Sequence, residues 1–406
     1  MIIIGGGIAG LYMAYKYHEK NPNEKIIILE KNDYIGGRIY TYNKYNVKYE
    51  AGAGRLSSSD KFLLKLLKEF SLDDKLIPIT NKKNYIDKFE KKIKPNEFNI
   101  LLEKINNLIK NKEEYNHKTI KELSHSSKEK ELYSQLINHY EYYSEIEHYS
   151  AEYAYYTNTN YFIKPKFYVL GYGLTELINK LQNEIKKYTK IIKNINVIDI
   201  KLVDKIFNLT ANYEVKYETN KLFLAIPNNN IKNINFSNNI KLSHITKLVA
   251  TEPLYRIYAK YPIDKKTGKV WFHDIGKIVT NSPIKYIIPI NSNIGTIMIS
   301  YTDGKYAKKM KQKADSVDMV KYIHTEISNL FKNVPEPIWI KHHYWNIGSH
   351  YWKNLSIKNV ISMSKKIIKP CNNIELYIIG ETFSRHQAWI EGSLETVEDY
   401  MKIYYT

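Results

Sequence analysis

Residues 1–40 restrict what this chain can fold into more than any other stretch. Ile2, Ile3 and Ile4 form a β-branched apolar run, the pattern of a strand buried on both faces. Gly5-Gly6-Gly7-Ile8-Ala9-Gly10 follows without a spacer and fits G-x-G-x-x-G. Leu11 to Glu19 can carry a helix, and Ile26, Ile27, Ile28 and Leu29 make a second strand ending at Glu30. Strand, glycine turn, helix, strand and acid, in that order, are the parts of a dinucleotide-binding βαβ unit. Gly5 permits the tight turn, Gly7 lets the backbone approach a pyrophosphate, and Gly10 lets helix and strand pack closely. At Ile8 and Ala9 the helix N-terminus offers free N–H groups and a partial positive charge to phosphates. Glu30, with Lys31 beside it, lies twenty residues after Gly10. An acid there accepts hydrogen bonds from ribose hydroxyls and repels a 2′-phosphate, which argues against NADP.

A second glycine turn, Tyr34-Ile35-Gly36-Gly37-Arg38-Ile39-Tyr40, follows Glu30. Gly36 and Gly37 let the backbone fold back over the phosphates, and Arg38 can pair with them. A NAD site has no need of this pair. Next comes Tyr49-Glu50-Ala51-Gly52-Ala53-Gly54-Arg55, leading into Leu56. With these motifs the chain resembles the flavin-containing amine oxidase family: monoamine and polyamine oxidases, L-amino-acid oxidases, lysine-specific histone demethylases and, more distantly, protoporphyrinogen oxidase. The resemblance implies FAD as cofactor, with Gly54, Arg55 and Leu56 among the residues that hold it.

At 406 residues the chain is too long for one core, so two domains are expected. The 37 tyrosines, with abundant Lys, Asn and Ile, are the bias an A+T-rich genome imposes, such as that of a giant virus or a protist. The net charge of +19 fits an anionic partner such as nucleic acid, but lysines spread along the whole chain favour codon bias on solvated faces. The one cysteine, Cys371, excludes an internal disulfide and a cysteine-based zinc site. No apolar stretch reaches the roughly 18 residues that span a membrane. The chain opens directly on a strand, without a signal peptide, so a soluble intracellular protein is expected.

Further along, Ser57-Ser58-Ser59 offers caps for a helix carrying Phe62, Leu63, Leu66, Leu67 and Phe70. Phe98, Leu101, Leu102, Ile105, Leu108 and Ile109 mark an amphipathic helix, and Leu132, Leu136, Ile137 and Tyr140 lie on one face of another, from about residue 128 to 149. The tyrosines of Tyr153-Ala154-Tyr155-Tyr156 either line a pocket or fill a core. Phe167 to Leu174, with Gly171 and Gly173, returns to the family pattern. Val197 and Ile200 match a V-x-x-I segment whose valine holds the adenine in relatives, or form a plain buried strand. Tyr255–Tyr261, Lys285–Pro289 and Thr296–Tyr301 read as strands, followed by a helix with Val317, Val320, Ile323, Ile327 and Leu330.

The resemblance implies a fold of α/β class, a Rossmann-like FAD-binding domain with an inserted α+β substrate-binding domain. It divides the chain into FAD-binding segments 1–76, 165–240 and 345–406 and substrate-domain segments 77–164 and 241–344. Arg256 falls where many relatives place a lysine beside flavin N5; Lys260 is the alternative if the register slips. Trp345-Asn346-Ile347-Gly348-Ser349-His350-Tyr351-Trp352 reads as aromatics around a glycine turn. It aligns with a segment that holds a flavin-bonded cysteine and an aromatic-cage tyrosine in monoamine oxidases. No cysteine stands here, so a cysteinyl link is not expected; His350 makes a histidyl link conceivable, and Tyr351 matches the cage. A metal on His342, His343 and His350 lacks a carboxylate at ligand spacing, so no metal is expected. Gly380, Glu381, Trp389 and Ile390 resemble the closing flavin-binding segment, with Glu381 on the ribityl or phosphate end. Trp389 is the second cage aromatic, and Ala388 and Ser393 replace the usual glycine and alanine. The catalytic candidates are therefore Arg256, Tyr351 and Trp389. The implied reaction is hydride transfer from an amine to flavin, with O2 as acceptor and H2O2 as product. The alternatives are oxidation of a non-amine, and a structural protein that keeps FAD without catalysis.

Overall fold

The computed structural model describes residues 1–80, 82–86, 100, 103–108, 110, 116–139, 143–157 and 166–405. A five-stranded parallel sheet stands in the order Leu376–Ile378, Leu222–Leu224, Ile2–Ile4, Ile26–Leu29, Thr189–Ile192. Ile2–Ile4 is the centre, with Ile3 level with Phe223 on one side and Ile28 on the other. Every residue of that strand is buried, as its unbroken isoleucine run requires. The helix Ile8–Lys20 turns Leu11, Met13, Ala14 and Tyr17 inward and packs against the helices Leu174–Ile185 and Ile390–Tyr405. The opposite face of the sheet closes over Leu29, Leu222, Leu224 and Ile378, packed with residues such as Val197 and Trp352.

The second large sheet has six strands, in the order Trp339–Trp352, Val249–Lys260, Thr296–Asp303, Tyr286–Asn291, Lys277–Thr280, Lys83–Ile86. Its pairs are antiparallel except the last, which is parallel. The helices Gly304–Ala314 and Met319–Ser328 cover it through Ala307, Met310, Ile323 and Ile327, which meet Tyr255, Ile257, Ile297 and Ile299. Pro253 has no N–H to give to a ladder, and the register between Val249–Lys260 and Trp339–Trp352 shifts there, between Glu252 and Leu254. That shift lies beside Gly348, where an added Cβ would stand 2.5 Å from the Leu254 Cβ. The stretch around Gly348 is therefore strand, not the turn its glycine suggests: the partner strand's crowding, not a bend, demands the missing side chain.

The helical part shows Ile120–Leu123, Ser127–His139, Tyr143–His148 and Ala151–Thr157, the first closed by a capping box of Thr119 and Glu122. Residues 103–108 are helical and include Ile105 and Leu108; Phe98, Leu101, Leu102, Ile109 and Tyr140 lie outside the described residues. Among the described residues no helix is long and apolar enough to cross a membrane.

Candidate functional site

A cavity of about 830 Å³ opens at the carboxyl ends of the parallel strands, where Ile4, Leu29, Ala225 and Ile379 line it. Ligands of open α/β sheets bind outside those ends. The mixed sheet supplies the facing wall with Leu254, Arg256, Tyr301, Asp303, Trp345 and Ser349.

At one end the cavity meets the start of the helix Ile8–Lys20. That helix has no side-chain cap and no acid in its first turn, so its amides and dipole face the cavity uncompensated. Gly5, Gly7, Ile8 and Ala9 line the wall, and a Cβ built on Gly7 meets no atom within 4 Å. Glu30 is buried and lines the same end; one oxygen accepts from Gly6 N at 2.7 Å and the other from Asn32 N at 2.8 Å. A carboxylate accepts about four hydrogen bonds, so each oxygen keeps one site for a hydroxyl. Lys31, Gly37, Arg38 and Val197 complete this end. An extended bis-anion flanked by a ribose fits this donor and acceptor set.

Gly10 does not line the cavity. A Cβ there would stand 2.1 Å from the Gly5 carbonyl oxygen, so its glycine serves the close approach of helix and turn. Gly54, Arg55 and Leu56 also lie off the wall. Arg55 places its guanidinium over Phe167 at 4.8 Å and Trp389 at 5.3 Å. Gly54 packs against Glu50, and Leu56 pairs with Tyr168 in a small three-stranded sheet.

Arg38 donates to Glu381 Oε2 at 2.7 Å and to the Gly348 carbonyl at 3.1 Å. Burial alone would push Glu381 up, but Arg38, His350 and the Ala388 amide hold it far below the ordinary carboxylate range. Gly380 and Glu381 line the cavity with Ala388, Trp389, Ile390 and Ser393. Ala388 has φ 68°, in the left-handed region that favours glycine.

Arg256 reaches the cavity from the long strand Val249–Lys260. It donates to the carbonyl oxygens of Glu50, at 3.1 Å, and of Gly52, and its guanidinium lies 5.0 Å from the centre of the Tyr301 ring. Trp345 lines the cavity and donates Nε1–H to the Ala51 carbonyl at 2.8 Å. Trp389 also lines it and stacks on Phe167 at 6.0 Å. Tyr351 does not. It pairs with Ala250 in the sheet and stacks on His148 at 5.1 Å, outside the cavity wall. His350 is likewise off the wall and fully buried. Sequence reasoning missed Tyr301, Asp303 and Ser144, which line the cavity together; both Ser144 N, at 3.1 Å, and Ser144 Oγ, at 2.5 Å, donate to Asp303. The one signal was an aspartate closing the run Thr296–Asp303, because an acid is rarely left in a buried strand without a partner. Burial raises Asp303 to about 6 although Ser144 opposes the shift. Among the described residues no group of three His, Cys, Asp or Glu side chains could hold a metal ion.

Comparison with known proteins agrees with this geometry. The model of the family "Flavin containing amine oxidoreductase" matches residues 8–396. Amine oxidase [flavin-containing] B of Cavia porcellus is 36% identical over 74 residues, 18% of this chain and 14% of that protein. Its Bos taurus counterpart is 33% identical over 93 residues, 21% of this chain and 18% of that protein. An uncharacterised protein, R188, of Acanthamoeba polyphaga mimivirus is 30% identical over 81 residues, 19% of this chain and 16% of that protein. These matches therefore span less than a fifth of each relative's length. A structure of a cofactor-binding redesign of putrescine oxidase superposes with TM-score 0.74 at 13% identity, covering 100% of this chain and 98% of that one. That likeness shows the same fold, an α/β nucleotide-binding sheet joined to a mixed sheet. A family match over nearly the whole chain, on a cavity whose glycine turn, acid and arginine suit a dinucleotide, places this protein in the flavin-containing amine oxidoreductase family, with FAD as its cofactor.

Proposed function

We propose that the protein oxidises an amine with FAD, using O2 as acceptor and releasing H2O2. One observation carries the reading: a single cavity is lined both by Gly7, Glu30 and Arg38, suited to a dinucleotide, and by the aromatic and cationic side chains of Trp345, Trp389, Tyr301 and Arg256. Bound FAD supplies acceptance of a hydride from the carbon next to the amine nitrogen. The chain's residues bind, orient and exclude water. The amides at Gly7, Ile8 and Ala9 and the Arg38 guanidinium would hold the diphosphate, Glu30 would hold the ribose, and Val197 would hold the adenosine. The helix Ile390–Tyr405 starts at the cavity wall, where its amide end would favour negative charge on a bound flavin. Trp389 and Trp345 give flat walls that steer a neutral amine. Arg256 stays charged and is held by two carbonyls, so it acts as a fixed cation rather than as a proton carrier.

A second reading, oxidation of a non-amine, is favoured by Tyr351, which stacks on His148 off the cavity wall rather than facing the cavity as a cage residue would. One experiment separates them. The purified protein, loaded with FAD, is mixed with panels of mono-, di- and polyamines and amino acids while peroxide is recorded. Peroxide formation with an amine is the expected result. Absorbance bands of bound flavin without peroxide from any amine would reject amine oxidation in favour of the second reading.

A further inference from the structure

By resemblance His350 falls near the place of the flavin-bonded cysteine of monoamine oxidases, yet its geometry excludes such a bond. The side chain is 0% exposed and lies off the cavity wall. Its Nε2 accepts the backbone N–H of Asn228 at 3.2 Å. A backbone N–H can only donate, so the imidazole proton sits on Nδ1, which donates to Glu381 Oε2 at 2.6 Å. Both ring nitrogens are therefore engaged.

Glu381 is engaged on every side as well. Oε2 accepts from His350 Nδ1 and from Arg38 at 2.7 Å. Oε1 accepts from His350 N at 3.0 Å and Ala388 N at 2.7 Å. Four bonds fill the roughly four acceptor sites of a carboxylate, which leaves none for a ribityl hydroxyl. Glu381 faces the cavity but is consumed by the protein. Arg38 is its outlet: two donors are tied to Glu381 and Gly348, and a guanidinium has about five. Arg38 itself lines the cavity. His350 stands on the mixed sheet's edge strand, Asn228 follows the parallel strand Leu222–Leu224, and Glu381 follows Leu376–Ile378. The chain of bonds thus ties both sheets to one arginine.

We propose that His350 is a positioning residue for the cofactor: its Nδ1–H locks Glu381, and the locked Glu381 aims the Arg38 guanidinium at the diphosphate of FAD. The proposal rests on FAD binding and is independent of which substrate is oxidised. Two polar replacements divide the two imidazole bonds. In H350N the amide N–H sits where Nδ1 was and keeps the bond to Glu381. H350Q reaches towards Asn228 and gives up the bond to Glu381. Apoprotein is titrated calorimetrically with FAD, ADP and adenosine, and thermal midpoints check folding. H350Q is expected to weaken FAD and ADP about tenfold while leaving adenosine unchanged, because adenosine has no diphosphate. H350N is expected to bind within about threefold of wild type, the scale of one neutral hydrogen bond. Combined with R38A, H350Q is expected to add no further loss, since it acts through Arg38. Equal FAD binding by H350Q and wild type, or the same loss whether or not Arg38 is present, would overturn the proposal. A wild-type protein that binds ADP but no FAD would instead reject the cofactor assignment, and this role with it.

Discussion

At the scale of single residues, neighbouring glycines of one motif do different work. Gly7 has φ −77° and ψ 179°, an extended conformation open to any residue, and nothing lies within 4 Å of where its Cβ would go. Gly10 has the Gly5 carbonyl 2.1 Å from that point. The variant G7V should therefore keep the melting midpoint of the apoprotein but lose the shift that FAD produces. At a hundredfold excess over Kd that shift corresponds to about 2.7 kcal/mol. G10A should lose about 1–3 kcal/mol with or without FAD, since the backbone itself must move. Melting curves of both variants, each with and without FAD, make the comparison. A G7V protein that keeps the full FAD shift would show that the cofactor does not lie on this turn. The sequence motif names both glycines alike; only the neighbours in space tell them apart.

At the scale of elements, helix starts show how far local sequence reaches. Ser57-Ser58-Ser59 has the composition of a cap, yet none of the three caps the helix Lys61–Glu69. Asp60 stands at its N-cap, turned back to accept from Ser57 N at 2.7 Å. The free amides of Phe62 and Leu63 donate, both at 2.9 Å, to the two oxygens of Glu391, from the first turn of the helix Ile390–Tyr405. One buried carboxylate thus satisfies another helix's orphan donors from 329 residues away. E391A should cost about 1–2 kcal/mol, the price of a lost cap, read as a lower midpoint in urea at unchanged slope. An unchanged midpoint would mean that water replaces Glu391 there. The helix Ile390–Tyr405 itself was legible from its motif, whereas its capping role was not, because the partner is distant in sequence.

For the molecule as a whole, closing two sheets over one cavity buries acids whose charge then depends on pH. Glu50 is pushed up to about 7 by burial, against the opposing effect of the Leu174 amide, the Thr41 hydroxyl and Arg256. Its folded pKa exceeds the unfolded value near 4.5, so the native state holds a proton that the unfolded chain has already released. Between about pH 4.5 and 7 this group makes stability fall as pH rises. Gln in its place can still accept from Leu174 N and removes the ionisation. E50Q should therefore gain on wild type across that window, by up to on the order of 3 kcal/mol above pH 7. Urea unfolding of both proteins at pH 5 and 8 tests this; a constant difference between them would show that Glu50 is ionised in the fold throughout.

The signals legible along the chain are those whose chemistry acts over a few residues. The isoleucine runs specify buried strands, the glycine spacing specifies a turn that admits phosphates, and Glu30 at its fixed distance specifies an acid at the end of the second strand. Those signals are local because backbone conformation and burial pattern are set by near neighbours. Which side chains face the cavity is set by packing between elements far apart in the chain. Tyr351 and His350 follow residues that line the cavity, yet neither does: consecutive strand residues point to opposite faces, and His350 turns to Asn228 and Glu381 while Tyr351 turns to His148. Asp303, Tyr301 and Ser144 reach it from segments with no motif of their own. The direction of a side chain depends on register and on packing between distant strands, and neither is written in any one stretch of the chain.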